Sequence, residues 1–151
     1  MKRQHDECRA WLESYRDLRF EILRLQRKHQ SLWDQATGIT AKLSPVPGGG
    51  GGDRDRLLTM LSDADEEVIG KYIEALARQQ EIDQFIDEIP TDVCRMILRL
   101  RYIELLPWQK VNKILEKSGI YYSMENIFKL HGKALREARD LWGQRKENTD
   151  G

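Results

Sequence analysis

The chain has 151 residues, about the size of one domain, and 40% of them are hydrophobic and 33% charged, a composition that suits a helix-rich globular protein. No apolar run approaches the roughly 18 residues that span a bilayer, and the N-terminal MKRQHDECRAW lacks the apolar stretch of a signal peptide. A cytoplasmic location with no membrane partner is expected, and Cys8 and Cys94, at apolar helix positions, read as small buried thiols rather than a disulfide.

Net charge is zero but unevenly spread. Met1 to Ala36 carries 8 basic and 6 acidic side chains, Asp53 to Pro90 carries 4 and 11, and Thr91 to Gly151 carries 12 and 8. The last third thus holds a positive field suited to a polyanion, and the middle segment a compensating negative one.

The first element is a long helix, assigned to residues 1–43. Cys8, Trp11, Tyr15, Leu18, Ile22, Leu25, His29, Leu32 and Ala36 alternate by three and four residues, a heptad seam on a helix from about Gln4 to Gln35. Residues 37–43, TGITAKL, are ambiguous between helix and loop. Pro45, Pro47 and the glycines 48–52 mark a loop over 44–53. A second long helix follows over 54–89, with Leu58, Leu61, Asp65, Val68, Tyr72, Ala75, Gln79, Ile82, Ile86 and Ile89 in the same spacing. Ile69, Ile73 and Leu76 widen its stripe, as on a helix with two neighbours. Pro90 ends it. Two such helices joined by a loop predict an antiparallel, coiled-coil-like hairpin, their opposite charges supporting the pairing.

Residues 90–143 predict three helices. Thr91 or Asp92 caps the first, with Val93, Ile97 and Leu100 inside, ending around Glu104. Pro107 opens the second, whose apolar face is Trp108, Val111, Ile114 and Leu115. Gly119 breaks the chain, and Ser123 caps the third, with Ile127, His131, Ala134, Ala138 and Leu141 inward. His131 therefore reads as a core histidine. Residues 144–151 are expected to be a disordered tail. The fold class is all-α: a helical hairpin followed by a three-helix helix-turn-helix domain.

Projected at about 100° per residue, Glu125, Lys129, Gly132, Lys133 and Arg136 lie opposite the core stripe of the last helix, with Asn126 on its shoulder. In a helix-turn-helix such a face enters the major groove. Lys129 would then donate to guanine, Asn126 read adenine and Glu125 accept from cytosine. Lys110, Lys113, Lys133, Arg136 and Arg139 would meet phosphates. The plain alternative is a solvated helix face. The sequence lacks the GxSxG, P-loop, HExxH and CxxC motifs, so neither an enzyme nor a cofactor is expected.

Leu98-Arg99-Leu100-Arg101-Tyr102-Ile103, Trp108-Gln109-Lys110-Val111, Ser123-Met124-Glu125-Asn126-Ile127 and Ala134-Leu135-Arg136 resemble region four of sigma factors. From about Cys8 to Trp142 the chain resembles a bacteriophage and prophage family of unknown function with a sigma-like C-terminal part. The matching segments are Gly38–Ser44, the glycine run ending in Asp53-Arg54-Asp55, and Lys129–Leu135. The resemblance implies a phage-type transcriptional regulator in a bacterial host cell, with Ser123, Met124, Glu125, Asn126, Phe128 and Lys129 at base-contacting positions. Trp108 and Gln109 complete the expected phosphate set. The 16-residue separation of Val111 and Ile127 departs from the sigma pattern and implies a longer turn over Lys117–Tyr122. Duplex DNA is the expected partner, and the hairpin is left two roles, homodimerisation or contact with host RNA polymerase. The alternative function is an adaptor, polymerase-binding or part of DNA packaging, without sequence readout.

Overall fold

The computed structural model describes residues 2–42, 51–119 and 123–150. Among these the regular structure is helical throughout: α1 (Lys2–Lys42), α2 (Gly51–Asp87), α3 (Asp92–Leu98), a π-helical turn (Arg99–Ile103), α4 (Trp108–Lys117) and α5 (Met124–Asp150). The chain is all-α, as its periodicity predicts.

Three boundaries differ from expectation by three residues or more. The ambiguous 37–42 stretch continues α1. Gly51, Gly52 and Asp53, assigned to the loop, form the first turn of α2, where backbone N–H groups have no intrahelical acceptor to lose and glycine is tolerated. The rest of that loop lies outside the described residues. The supposed tail 144–150 is helical, because it has partners: Arg145 pairs with Glu88 and lies 4.9 Å over the Phe85 ring, and Lys146 pairs with Glu7.

The chain divides into two compact units, Met1–Asp17 with Ala77–Gly151, and Leu18–Leu76. The division therefore falls within the two long helices and not at Pro90, where the sequence suggested a boundary. The reason is burial. In the first unit Leu12 of α1 and Ile82, Phe85 and Ile86 of α2 are completely buried together with Ile89, Cys94, Ile97 and Leu98. Trp11, Phe85 and Trp142 meet edge-on or tilted in a cluster with ring centroids 5.1 to 6.2 Å apart. Arg99 bridges back to Asp83, at 2.9 Å, and to Asp87. Cys8 and Cys94 are both buried free thiols, and burial raises the Cys8 pKa to about 11.

In the second unit Gln26 Nε2 donates to the Tyr72 hydroxyl at 2.6 Å, His29 Nε2 lies 2.6 Å from Asp65 Oδ1, and Leu32 packs with Leu61 and Ala64. Rising numbers on α1 meet falling numbers on α2, so the two stretches run antiparallel. Asp65, which interrupts the apolar spacing, is thus an exposed polar partner of His29, and it marks the register.

Among the described residues no helix is long and apolar enough to cross a membrane.

Candidate nucleic-acid interface

The candidate surface belongs wholly to the first unit and is built on a small apolar cluster. Ile97 of α3, Leu100 of the π turn, Val111 and Leu115 of α4 and Ile127 of α5 form its centre, with Trp108, Ile114, Met124 and Leu130 packed around it. The π turn makes this possible. Its widened ring, closed by the Glu104 N–H donating to the Arg99 carbonyl at 2.9 Å, lets Leu100 and Tyr102 both turn inward although they are only two residues apart. The chain then reverses at Leu105, whose φ of 57° is the left-handed conformation usually given to glycine after a helix. Pro107 caps α4, which therefore begins one residue later than expected.

At the far end of α4, Gly119 has φ 84° and its N–H donates to the Glu116 carbonyl at 2.9 Å, so the expected break is made by a glycine in the left-handed region. Lys117 completes α4, Ser118 and Gly119 form the turn, and Ile120, Tyr121 and Tyr122 of the expected longer turn lie outside the described residues. Ser123 caps α5: its hydroxyl accepts the Asn126 N–H at 3.2 Å. That hydroxyl, expected at a base, is thus engaged with its own helix.

The sides of α5 separate cleanly. Ile127, Ala134 and Ala138 are completely buried, whereas Glu125, Asn126, Lys129, Lys133 and Arg136 are exposed. Lys129 Nζ lies 3.7 Å from Glu125 Oε1, with both side chains more than two-thirds exposed, so the pair leaves Lys129 available at little cost. On α4, Gln109, Lys110, Lys113 and Lys117 are exposed as well.

Three residues expected at DNA stand elsewhere. Met124 is half-buried against the apolar cluster. Arg139 is half-buried, and its Nε is enclosed without a hydrogen-bond partner. Trp108 is half-buried too, its indole meeting the edge of Phe128 at 5.3 Å and of His131 at 4.8 Å beneath the Arg101 guanidinium, 4.6 Å from the ring. For Met124 and Trp108 the physical cause is shared: an aromatic or flexible apolar side chain at a helix start gains more from the core edge than from solvent. Phe128 remains 49% exposed beside Trp108 and adds an apolar corner to the cationic face.

His131 is the core histidine its spacing predicts. Nε2 lies 2.8 Å from the Tyr102 hydroxyl. Burial, together with the charges of Arg9 and Arg101, lowers its pKa to about 4, so it is neutral near pH 7 and adds nothing to the positive field. Burial likewise pushes Tyr102 up to about 12. Sequence reasoning missed Arg101, which also donates to the Leu106 carbonyl at 3.0 Å, and Glu137, which accepts from the Thr91 N–H and hydroxyl at 3.2 and 2.8 Å. Thr91, the N-cap residue of α3, is thereby held by α5. Both depend on tertiary neighbours, which local spacing does not report.

Among the described residues no group of three or more His, Cys, Asp and Glu side chains converges to hold a metal ion.

Comparison with curated proteins and with solved structures gives no match. The sequence pattern of the family described as "Protein of unknown function (DUF1492)" matches residues 39–131, more than half of the chain, from the end of α1 to the first two turns of α5, and the chain belongs to that family.

Proposed function

We propose that the protein is a DNA-binding transcriptional regulator of the phage type, in which α4 and α5 act as a sigma region four-like helix-turn-helix. The carrying observation is the exposed row of Lys129, Lys133 and Arg136 on the side of α5 opposite its fully buried residues. Nothing within the first unit covers that side among the described residues. In this reading Glu125, Asn126 and Lys129 face base edges, and Phe128 offers an apolar contact to a thymine methyl group. Lys110, Lys113, Lys133 and Arg136 neutralise phosphates.

An adaptor that binds RNA polymerase or a packaging protein is favoured by one feature, the apolar corner of Phe128 within the charged face. Salt separates the two. Phosphate contacts release counterions, so DNA affinity should fall steeply as salt rises, while an apolar helix contact should hardly respond. Selection of bound sequences from a random duplex pool, followed by a salt titration of the winner, tests the proposal. Lys113→Ala should lower the salt slope by about one and weaken all sequences alike. Recovery of no preferred sequence, with binding indifferent to salt, would leave the adaptor.

A further inference from the structure

Of the ten large hydrophobic side chains exposed among the described residues, nine lie within residues 18–76. Among the described residues that unit buries one seam, in which Ile22, Leu25 and Leu32 of α1 and Leu61, Ala64 and Ala75 of α2 are enclosed. On α2, Leu58, Ile69, Ile73 and Leu76 are 51 to 63% exposed. At about 100° per residue these four fall within roughly 60° of one another, about a quarter turn from the buried seam. Leu23 stands on the same side of α1, the side bridged by the Gln26–Tyr72 hydrogen bond. The opposite side carries Lys28 on α1 and Glu67, Lys71 and Glu74 on α2, all charged. Two antiparallel helices that leave an apolar strip of α2 uncovered on one side and carry charge on the other are half of a four-helix bundle.

Charge selects the occupant. Leu18 to Gln35 of α1 holds 4 basic and 2 acidic side chains, while Asp55 to Leu76 of α2 holds 2 basic and 6 acidic. A second copy related by a two-fold axis parallel to the helices lays its α1 on the first copy's α2, and the reverse, so that opposite charges meet along both rims. Stacking α2 on α2 would instead align like charges. The level is set jointly by the pairings of Gln26 with Tyr72, His29 with Asp65 and Leu32 with Leu61, which put Leu23 near the height of Ile73 and Arg27 within a helical turn of Glu66.

We propose that residues 18–76 form a symmetric homodimer in which Leu58, Ile69, Ile73 and Leu76 of each copy pack on α1 of the other, Ile73 meeting Leu23 and Glu66 meeting Arg27. The dimer stands independently of the DNA-binding reading. Sedimentation equilibrium of the full chain across the micromolar range should give twice the 17.7 kDa chain mass. Ile73→Glu should reduce it to a single chain with unchanged helix content by circular dichroism. Glu66→Arg should weaken the dimer severalfold, and adding Arg27→Glu to the same chain should restore it. A monomeric wild type, an Ile73→Glu variant as dimeric as wild type, or a double variant no tighter than Glu66→Arg alone would each overturn the proposal.

Discussion

The two units solve the same problem, two long amphipathic helices needing cover, with opposite success. In the first, α3, the π turn, α4 and α5 supply enough surface to enclose Phe85, Leu12 and Ile82 completely. In the second, among the described residues, two helices pack along one seam, and a pair can bury little more, so Ile69, Ile73 and Leu76 remain in solvent. The lesson is that heptad spacing reports which residues want burial and leaves open how many neighbours arrive.

The largest effect belongs to the enclosed unit. Phe85→Ala removes a ring that meets Trp11 and Trp142 at 5.1 and 6.2 Å and should cost about 3–5 kcal/mol. Leu32→Ala, on the partly solvated seam, should sit at the lower end of the Leu→Ala range, about 2–3 kcal/mol. Urea midpoints of the two variants give the comparison. Equal losses would mean that the seam is as well enclosed as the aromatic cluster.

A second contrast is confined to a pH window. His131 holds a pKa near 4 in the folded chain against 6.5 when unperturbed, so between those values the unfolded chain binds more protons. Stability should therefore fall as pH drops from about 6.5 towards about 4. His131→Gln should flatten that part of the slope, read as urea midpoints at several pH values. An unchanged slope in the variant would mean that the histidine is already solvated in the native state. At alkaline pH the sign reverses for Tyr102: its pKa, raised to about 12, favours the folded state less as pH climbs past 10.

Smaller is the effect on recognition. Lys129→Ala should change sequence preference by about 1–3 kcal/mol at one base position. The fold should be untouched, because the side chain is 71% exposed. Competition between selected and scrambled duplexes measures it. A loss shared equally by both duplexes would move Lys129 from a base to a phosphate.

Which parts were legible in the sequence follows from the same physics. The helices were, because three-four spacing and the stops at Pro90, Pro107 and Gly119 act locally. So was the outward side of α5, since it is the complement of Ile127, Ala134 and Ala138. Leu12 and Phe85, both completely buried, escaped because each sits one position off the counted stripe, and Phe85 meets Trp142 of a third element. The helical end of α5 was hidden for a like reason: Gln144 to Asn148 look solvated until Glu7, Glu88 and Phe85 are brought beside them. Trp108 and Met124 were placed at DNA by position in a motif, yet an apolar cluster within reach decides where such side chains go.

The smallest change divides the units most finely. Gly70 and Gly132 both lie inside helices, and an added Cβ meets nothing within 4 Å at Gly70 and only the Arg136 Nη1, at an ordinary 3.8 Å, at Gly132. Each Gly→Ala substitution should therefore stabilise the chain by up to about 1 kcal/mol, since alanine restricts the unfolded chain and fits the helix. Thermal midpoints should rise for both. DNA affinity should respond to one alone: Gly132 lies on the outward side of α5 between Lys129 and Arg136, where a methyl group would hold a duplex away from the backbone. If Gly132→Ala gains stability and binds DNA as wild type does, the groove is met by the long side chains with the helix backbone standing off. If Gly70→Ala weakens binding as well, the two units are coupled in DNA recognition, and the contrast between them applies to packing alone.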